Sequence, residues 1–146
     1  MKTIIVTGSA ATGKTTIAKK LAKEKNYKYI DPNQLIKKHK LYESYNRKLK
    51  TYEVDTKKLN KFLTNLIKTS KDNLIIDSHL SHYLPKKYVN LCIITKCNLK
   101  ELKKRLEKRK YNKKKIRENL DAEILDTCLI EAKHHKIKII DTSKPF

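Results

Sequence analysis

Gly8-Ser9-Ala10-Ala11-Thr12-Gly13-Lys14-Thr15 fits G-x-x-x-x-G-K-[ST] at every position, and its reading decides the fold. It holds the only two glycines in 146 residues. Glycine admits backbone conformations and close approaches that a Cβ forbids, so both falling in one short loop marks a special backbone. Upstream, Lys2–Thr7 reads as a buried strand centred on Ile4-Ile5-Val6. Downstream, Ile17, Ala18, Leu21 and Ala22 share one helical face, opposite Lys19, Lys20 and Lys23. A phosphate-cradling loop needs that strand–loop–helix context. Main-chain N–H groups turn inward around phosphate oxygens, and the helix points its positive end at them. Gly8 and Gly13 then shape the cradle, and Lys14 reaches the β- and γ-phosphates. The Thr15 hydroxyl can ligate Mg²⁺, and Thr16 lies within reach of an α-phosphate. The alternative is a fortuitous turn, which would not need a strand before it and a helix after it.

Working outward, Tyr27–Ile30 reads as a short strand, and Asp31-Pro32-Asn33-Gln34 as a helix start with Asp31 as cap. Residues 39–55 are polar and tyrosine-rich, with no clean period. Leu59, Phe62, Leu63, Leu66 and Ile67 mark an amphipathic helix. Leu74-Ile75-Ile76-Asp77 is a strand ending in a carboxylate, and Val89–Thr95 is another buried strand. Asn98 with Glu101 caps a helix that turns Leu99, Leu102 and Leu106 inward. Residues 108–118 read as a basic turn. Ile116, Leu120, Ile124 and Cys128 sit four apart on a long helix, and Lys136–Asp141 is a last strand. Strands alternate with helices throughout, which predicts an α/β, three-layer protein: a parallel sheet with helices on both faces. The length predicts a single domain over 1–146, able to bury about 68–70% of its unfolded surface.

Lysine plus arginine total 36 against 15 acidic residues, a net charge of +21. That excludes an acid-rich tail and suggests an anionic partner, although lysine-rich composition also has non-functional origins. Arg47, Arg105, Arg109 and Arg117 are the only arginines, so each position is informative. No apolar run is long enough for a membrane span, and Met1–Thr7 does not read as a signal peptide. An odd number of cysteines, three, argues against a disulfide scaffold. A cytoplasmic protein is the expectation.

A phosphate loop of this kind works with a carboxylate at the end of a neighbouring strand, holding Mg²⁺. Asp77 supplies it; the bland alternative is a cap for the next segment. His79 and His82 are three apart, but two ligands without a third do not define a transition-metal site. Residues 100–117 carry 11 Lys or Arg and two Glu. A solvated helix face would account for such a run. Arg105 and Arg109, however, are four apart on one face, and the planar guanidinium suits phosphate oxygens. The spacing predicts that at least one of them contacts nucleotide.

Asp77-Ser78-His79-Leu80-Ser81-His82-Tyr83-Leu84-Pro85 and Arg109-Lys110-Tyr111-Asn112-Lys113-Lys114-Lys115-Ile116-Arg117-Glu118-Asn119, followed by Glu123-Ile124, resemble two signatures of the adenylate kinase isoenzyme 6 family. With the phosphate loop, the resemblance spans positions 3 to about 132. It implies a P-loop NTPase fold of the nucleoside monophosphate kinase type, five parallel strands in the order 2-3-1-4-5, and a short lid near 108–118. It implies ATP held by Ala11, Gly13, Lys14, Thr15 and Thr16 under Arg109, with Lys144 near the adenine. The monophosphate region would fall near residues 30–53, with Leu41-Tyr42 as a landmark. His79 would orient water for ATP hydrolysis. The family's activities would be Mg²⁺-dependent adenylate kinase, with AMP as substrate, and ATPase. Its setting is maturation of the small ribosomal subunit, beside a small-subunit ribosomal protein and pre-ribosomal RNA, and in eukaryotic relatives the nucleus. Lys110 stands where the family pattern has glycine and Lys37 where it has arginine, with Arg47 a possible substitute.

Three functions compete: a kinase using AMP, an ATP-driven assembly factor, and a basic RNA-binding module with nucleotide as a structural ligand. The last has no recognised RNA-binding motif behind it, although Tyr42, Tyr45 and Tyr52 could stack bases.

Overall fold

In chain order the elements are β1 (Thr3–Gly8), α1 (Lys14–Lys25), β2 (Lys28–Ile30), α2 (Pro32–Lys38), β3 (Tyr42–Asn46), β4 (Thr51–Val54), α3 (Thr56–Thr69), β5 (Leu74–Asp77), β6 (Leu91–Lys96), α4 (Leu99–Lys108), α5 (Lys113–Ile124), α6 (Thr127–Glu131) and β7 (Ile137–Asp141). This is a computed structural model, describing residues 2–48, 51–78 and 80–143. Five strands pair in parallel in the order β2-β5-β1-β6-β7. Numbered among themselves, the parallel strands run 2-3-1-4-5, the order the resemblance implies.

The sheet is buried on both faces because its strands are apolar at successive positions, not alternate ones. Ile5, Ile76, Cys92 and Ile94 point to one side, where Leu59 and Leu63 of α3 cover them. Ile4, Val6, Ile75 and Ile93 point to the other, against Ile17, Ala18 and Ala22 of α1. Burial of so many large apolar side chains is the main force for folding, at about 25 cal/mol per Å² of apolar surface. A third, smaller cluster lies under the phosphate loop. Leu102 and Leu106 of α4 pack there with Ala11 and Cys97, bordered by Tyr111, Ile116 and Leu120.

The cap readings fit. The Asp31 side chain accepts from Asn33 N at 3.0 Å, and Asn98 Oδ1 accepts from Glu101 N at 2.8 Å. Four expectations need correction. Leu99, expected on the inward face of α4 with Leu102 and Leu106, is exposed at the first turn, and only the other two are buried. Residues 39–55 contain an antiparallel hairpin, β3 with β4, whose described side chains are mostly exposed and so leave no apolar period. The basic segment 108–118 is a turn only as far as Asn112, which caps α5 through Lys115 N at 2.8 Å. The long helix through Cys128 is two helices. Asp126 takes a left-handed conformation (φ 51) between α5 and α6, which turns Ile124 out to 57% exposure. Lys96 holds that corner by pairing with Glu123 Oε1 at 2.7 Å and with the Asp126 carboxylate. Among the described residues, no helix is long and apolar enough to cross a membrane.

Candidate functional site

The phosphate loop leaves the C-terminal end of β1 and enters α1 through Gly13, which adopts φ 83. Ala11 is also left-handed, with φ 64. Gly8 has φ +150 and no room for a side chain. A Cβ there would meet Thr95 Oγ1, Thr95 O at 2.8 Å and Thr12 Oγ1 at 2.9 Å. Thr12 sits inside the curl, its hydroxyl 2.6 Å from Ser9 O and 2.8 Å from Thr95 Oγ1. Both sequence glycines are therefore required by geometry, one by close packing on β6 and one by the turn into the helix.

Lys14 folds back so that Nζ donates to Ser9 O at 3.3 Å. Burial pulls its pKa below the usual lysine value, opposed chiefly by the Asp77 carboxylate. Asp77 ends β5, the strand beside β1, and is 6% exposed. Its Oδ2 accepts from the Thr15 hydroxyl at 2.7 Å. The parallel register Val6↔Asp77 carries the carboxylate to the start of α1, 62 residues away in sequence. Thr15 and Asp77 form an all-oxygen pair, the donor chemistry that suits a hard divalent cation such as Mg²⁺. The same Oδ2 also accepts from Tyr29 of β2 at 2.7 Å.

Two cavities meet at the loop. One, of about 320 Å³, is lined by Lys14, Thr15, Thr16, Tyr29, Asp77 and Arg109, among others. The second, of about 700 Å³, lies between the loop and α5–α6, with Ser9, Lys14, Tyr111, Lys115 and Glu131 in its wall. Lys14 and Asn33 line both.

The arginine pair is split. Arg109, at the end of α4, lines the smaller cavity with Lys14 and Asp77. The Arg105 guanidinium turns to main chain instead, reaching Ala11 O at 3.3 Å and the Thr142 carbonyl, while Nε lies 3.3 Å from Glu101 Oε1. Its donors thus link the loop carbonyl of Ala11 to Thr142 after β7 and to Glu101 of α4. His79 and Lys144 lie outside the described residues. Lys37 is exposed on α2, and Lys110 is left-handed with φ 61, which accounts for the glycine of the family pattern at that position.

Sequence reasoning missed Tyr29, Asn33, Glu123 and Thr142 as contributors. Tyr29 carries a signal only once β2 is known to lie beside β5. Glu123 is 7% exposed; besides Lys96 it accepts from Cys97 N at 3.3 Å, fastening α5 to the end of β6. Burial alone would lower the Lys96 pKa, but the Asp126 and Glu123 carboxylates outweigh it and raise it.

A 2-3-1-4-5 sheet with Thr15 and Asp77 joined at the loop places the chain among the P-loop kinases. Shikimate kinase from Acinetobacter baumannii superposes with a TM-score of 0.65 at 14% identity, covering 98% of this chain and 86% of that one. Deoxyadenosine kinase from M. mycoides does so at 0.56 and 14%, covering 100% and 93%. These likenesses concern the fold. The sequence narrows it further. Residues 4–126 match the AAA domain family. A protein named "Putative adenylate kinase" from Methanocaldococcus jannaschii is 42% identical over 96% of this chain and 76% of its own. Adenylate kinase isoenzyme 6 homologs from Schizosaccharomyces pombe and Dictyostelium discoideum are 35% and 32% identical, over 89% and 90% of this chain and 73% and 74% of theirs. The chain belongs to the adenylate kinase isoenzyme 6 family and is an enzyme.

Proposed function

We propose that the chain is an adenylate kinase that transfers the γ-phosphoryl group of ATP to AMP, giving two ADP. The observation that carries this reading is Lys14, which lines both cavities at the phosphate loop. A donor and an acceptor phosphate in those two spaces would share one ammonium. The AMP phosphate oxygen attacks the γ-phosphorus, the bond to the bridging oxygen breaks, and ADP leaves. No general base is needed, because the acceptor is already anionic. The residues at hand do what such a reaction asks of a protein, which is to position the groups and offset charge. Thr15 and Asp77 would hold Mg²⁺, which would neutralise charge building on the β- and γ-oxygens. Arg109 and Lys14 would bear on the same phosphates, and Asn33 would face the acceptor. The test is ADP formation from ATP plus AMP, with Lys14→Ala as the variant. Activity should vanish while the fold survives; undiminished turnover would overturn the assignment.

A second reading has one observation in its favour, the net charge of +21 with its concentration in residues 100–117. In it the chain is an ATPase assembly factor in small-subunit maturation, working beside a ribosomal protein and pre-ribosomal RNA. ATP consumption that rises only with AMP supports the kinase. AMP-independent hydrolysis stimulated by a small-subunit ribosomal protein supports the factor.

A further inference from the structure

Thr142 follows β7 and is fully buried. Its amide donates to Lys96 O at 2.7 Å, which ties it to the end of β6. Its hydroxyl donates to Thr12 O at 2.6 Å, with Lys96 O at 3.1 Å as a weaker alternative. Its carbonyl accepts from Arg105, whose Nη1 also reaches Ala11 O at 3.3 Å. Two consecutive carbonyls of the phosphate loop are therefore held from outside, Thr12 O by Thr142 and Ala11 O by Arg105.

Those contacts decide where the loop's amides point. A trans peptide directs its C=O and its N–H to opposite sides. With Ala11 O on Arg105, the Thr12 N–H turns back to Ser9 O, at 3.3 Å. With Thr12 O on Thr142, the Gly13 N–H turns to the side opposite Thr142. Gly13 has no side chain to fix its own peptide, so an external hold on the preceding carbonyl is the economical way to aim that amide.

We propose that Thr142 is a positioning residue of the phosphate loop, its hydroxyl aiming the Gly13 amide at a bound phosphate. The inference rests on the nucleotide reading above and adds a residue 130 positions from the loop carbonyl it holds. An amide aimed before the ligand arrives binds an anion without first paying to reorganise.

The composition offers a direct test. Gly8 and Gly13 are the only glycines, so labelling the full chain with ¹⁵N-glycine gives two backbone amide resonances. ADP with Mg²⁺ is the probe. In the wild type the Gly13 resonance should move downfield at saturation. In Thr142→Val that movement should shrink by half or more, and the Kd for ADP should rise about ten-fold. Thr142→Ser should recover both. Should the valine variant not fold, Thr142→Ala removes the hydroxyl without branching and is read the same way. A Val or Ala variant with the wild-type movement and Kd overturns the proposal, as does failure of Thr142→Ser to recover them. If wild-type Gly13 does not respond to ADP at all, the nucleotide reading itself is overturned, which is a different result.

Discussion

The Tyr29 hydroxyl donates to Asp77 Oδ2 at 2.7 Å, the same oxygen that accepts from Thr15 at 2.7 Å. Two donors on one oxygen, from α1 and from β2, fix the carboxylate's rotation. Tyr29→Phe removes one of them with little change of shape. The expected result is a rise of roughly five-fold in the Mg²⁺ concentration for half-maximal velocity, the equivalent of about 1 kcal/mol. Unchanged Mg²⁺ dependence would mean that Thr15 suffices. Burial, and then Asp77, raises the Tyr29 pKa above its ordinary 10.0. A group whose folded pKa is raised contributes stability that is present below its unfolded pKa and lost as pH rises beyond it. Tyr29→Phe should therefore unfold less steeply than the wild type above about pH 10.

Gly8→Ala should be severely destabilising. The new Cβ meets Thr95 O at 2.8 Å, which is backbone and cannot step aside, and the φ of +150 is one that L residues rarely adopt. A loss of about 2–4 kcal/mol is expected in urea unfolding. A loss under about 0.5 kcal/mol would show that β1 and β6 separate easily at this point.

The difference between what was legible in the sequence and what was not follows from range. The phosphate loop, its strand and its helix are contiguous, so local pattern suffices. Asp77 is readable because strand-end carboxylates complement such loops. The hairpin at β3–β4 escapes because its described side chains are mostly exposed and carry no apolar alternation. The break at Asp126 escapes because Ile116, Leu120, Ile124 and Cys128 keep a helical spacing across it. The reason for the break is a tertiary ion pair to Lys96, 30 residues away. Arg105 was readable as important but not as a loop clamp, because its partners are carbonyl oxygens at Ala11 and Thr142. Main-chain acceptors leave no trace in residue identity.

Lys14 gives a pH prediction. Burial lowers its pKa, so the folded state disfavours the ammonium, and that cost is relieved as pH rises through the folded value. Bound phosphates act in reverse by favouring the ammonium and raising the pKa. Binding of ADP should therefore take up a proton on the alkaline side but below pH 10.5, and weaken at a lower pH than an ordinary lysine of pKa 10.5 would dictate. Calorimetry in two buffers of different ionisation heat measures the uptake. Equal heats in the two buffers would show that Lys14 stays fully charged when free.

Lys110 ends α4 in a motif that normally belongs to glycine. Its amide donates to Glu107 O at 2.9 Å, and Tyr111 N reaches Leu106 O at 3.3 Å. Tyr111 packs beside Leu106 in the cluster under the phosphate loop, the hydrophobic contact that accompanies this kind of helix end. Lys110 thus sits at φ 61 because the chain must reverse there to bring Tyr111 back onto α4. A non-glycine residue in that conformation costs roughly 1–2 kcal/mol, and glycine's greater freedom in the unfolded chain returns part of the gain. Lys110→Gly should therefore stabilise the ligand-free protein by about 0.5–1 kcal/mol, raising Tm by up to roughly 4 °C. Should thermal melting show a lower Tm instead, the lysine side chain contributes more at its surface than the backbone loses, and the motif is not under strain.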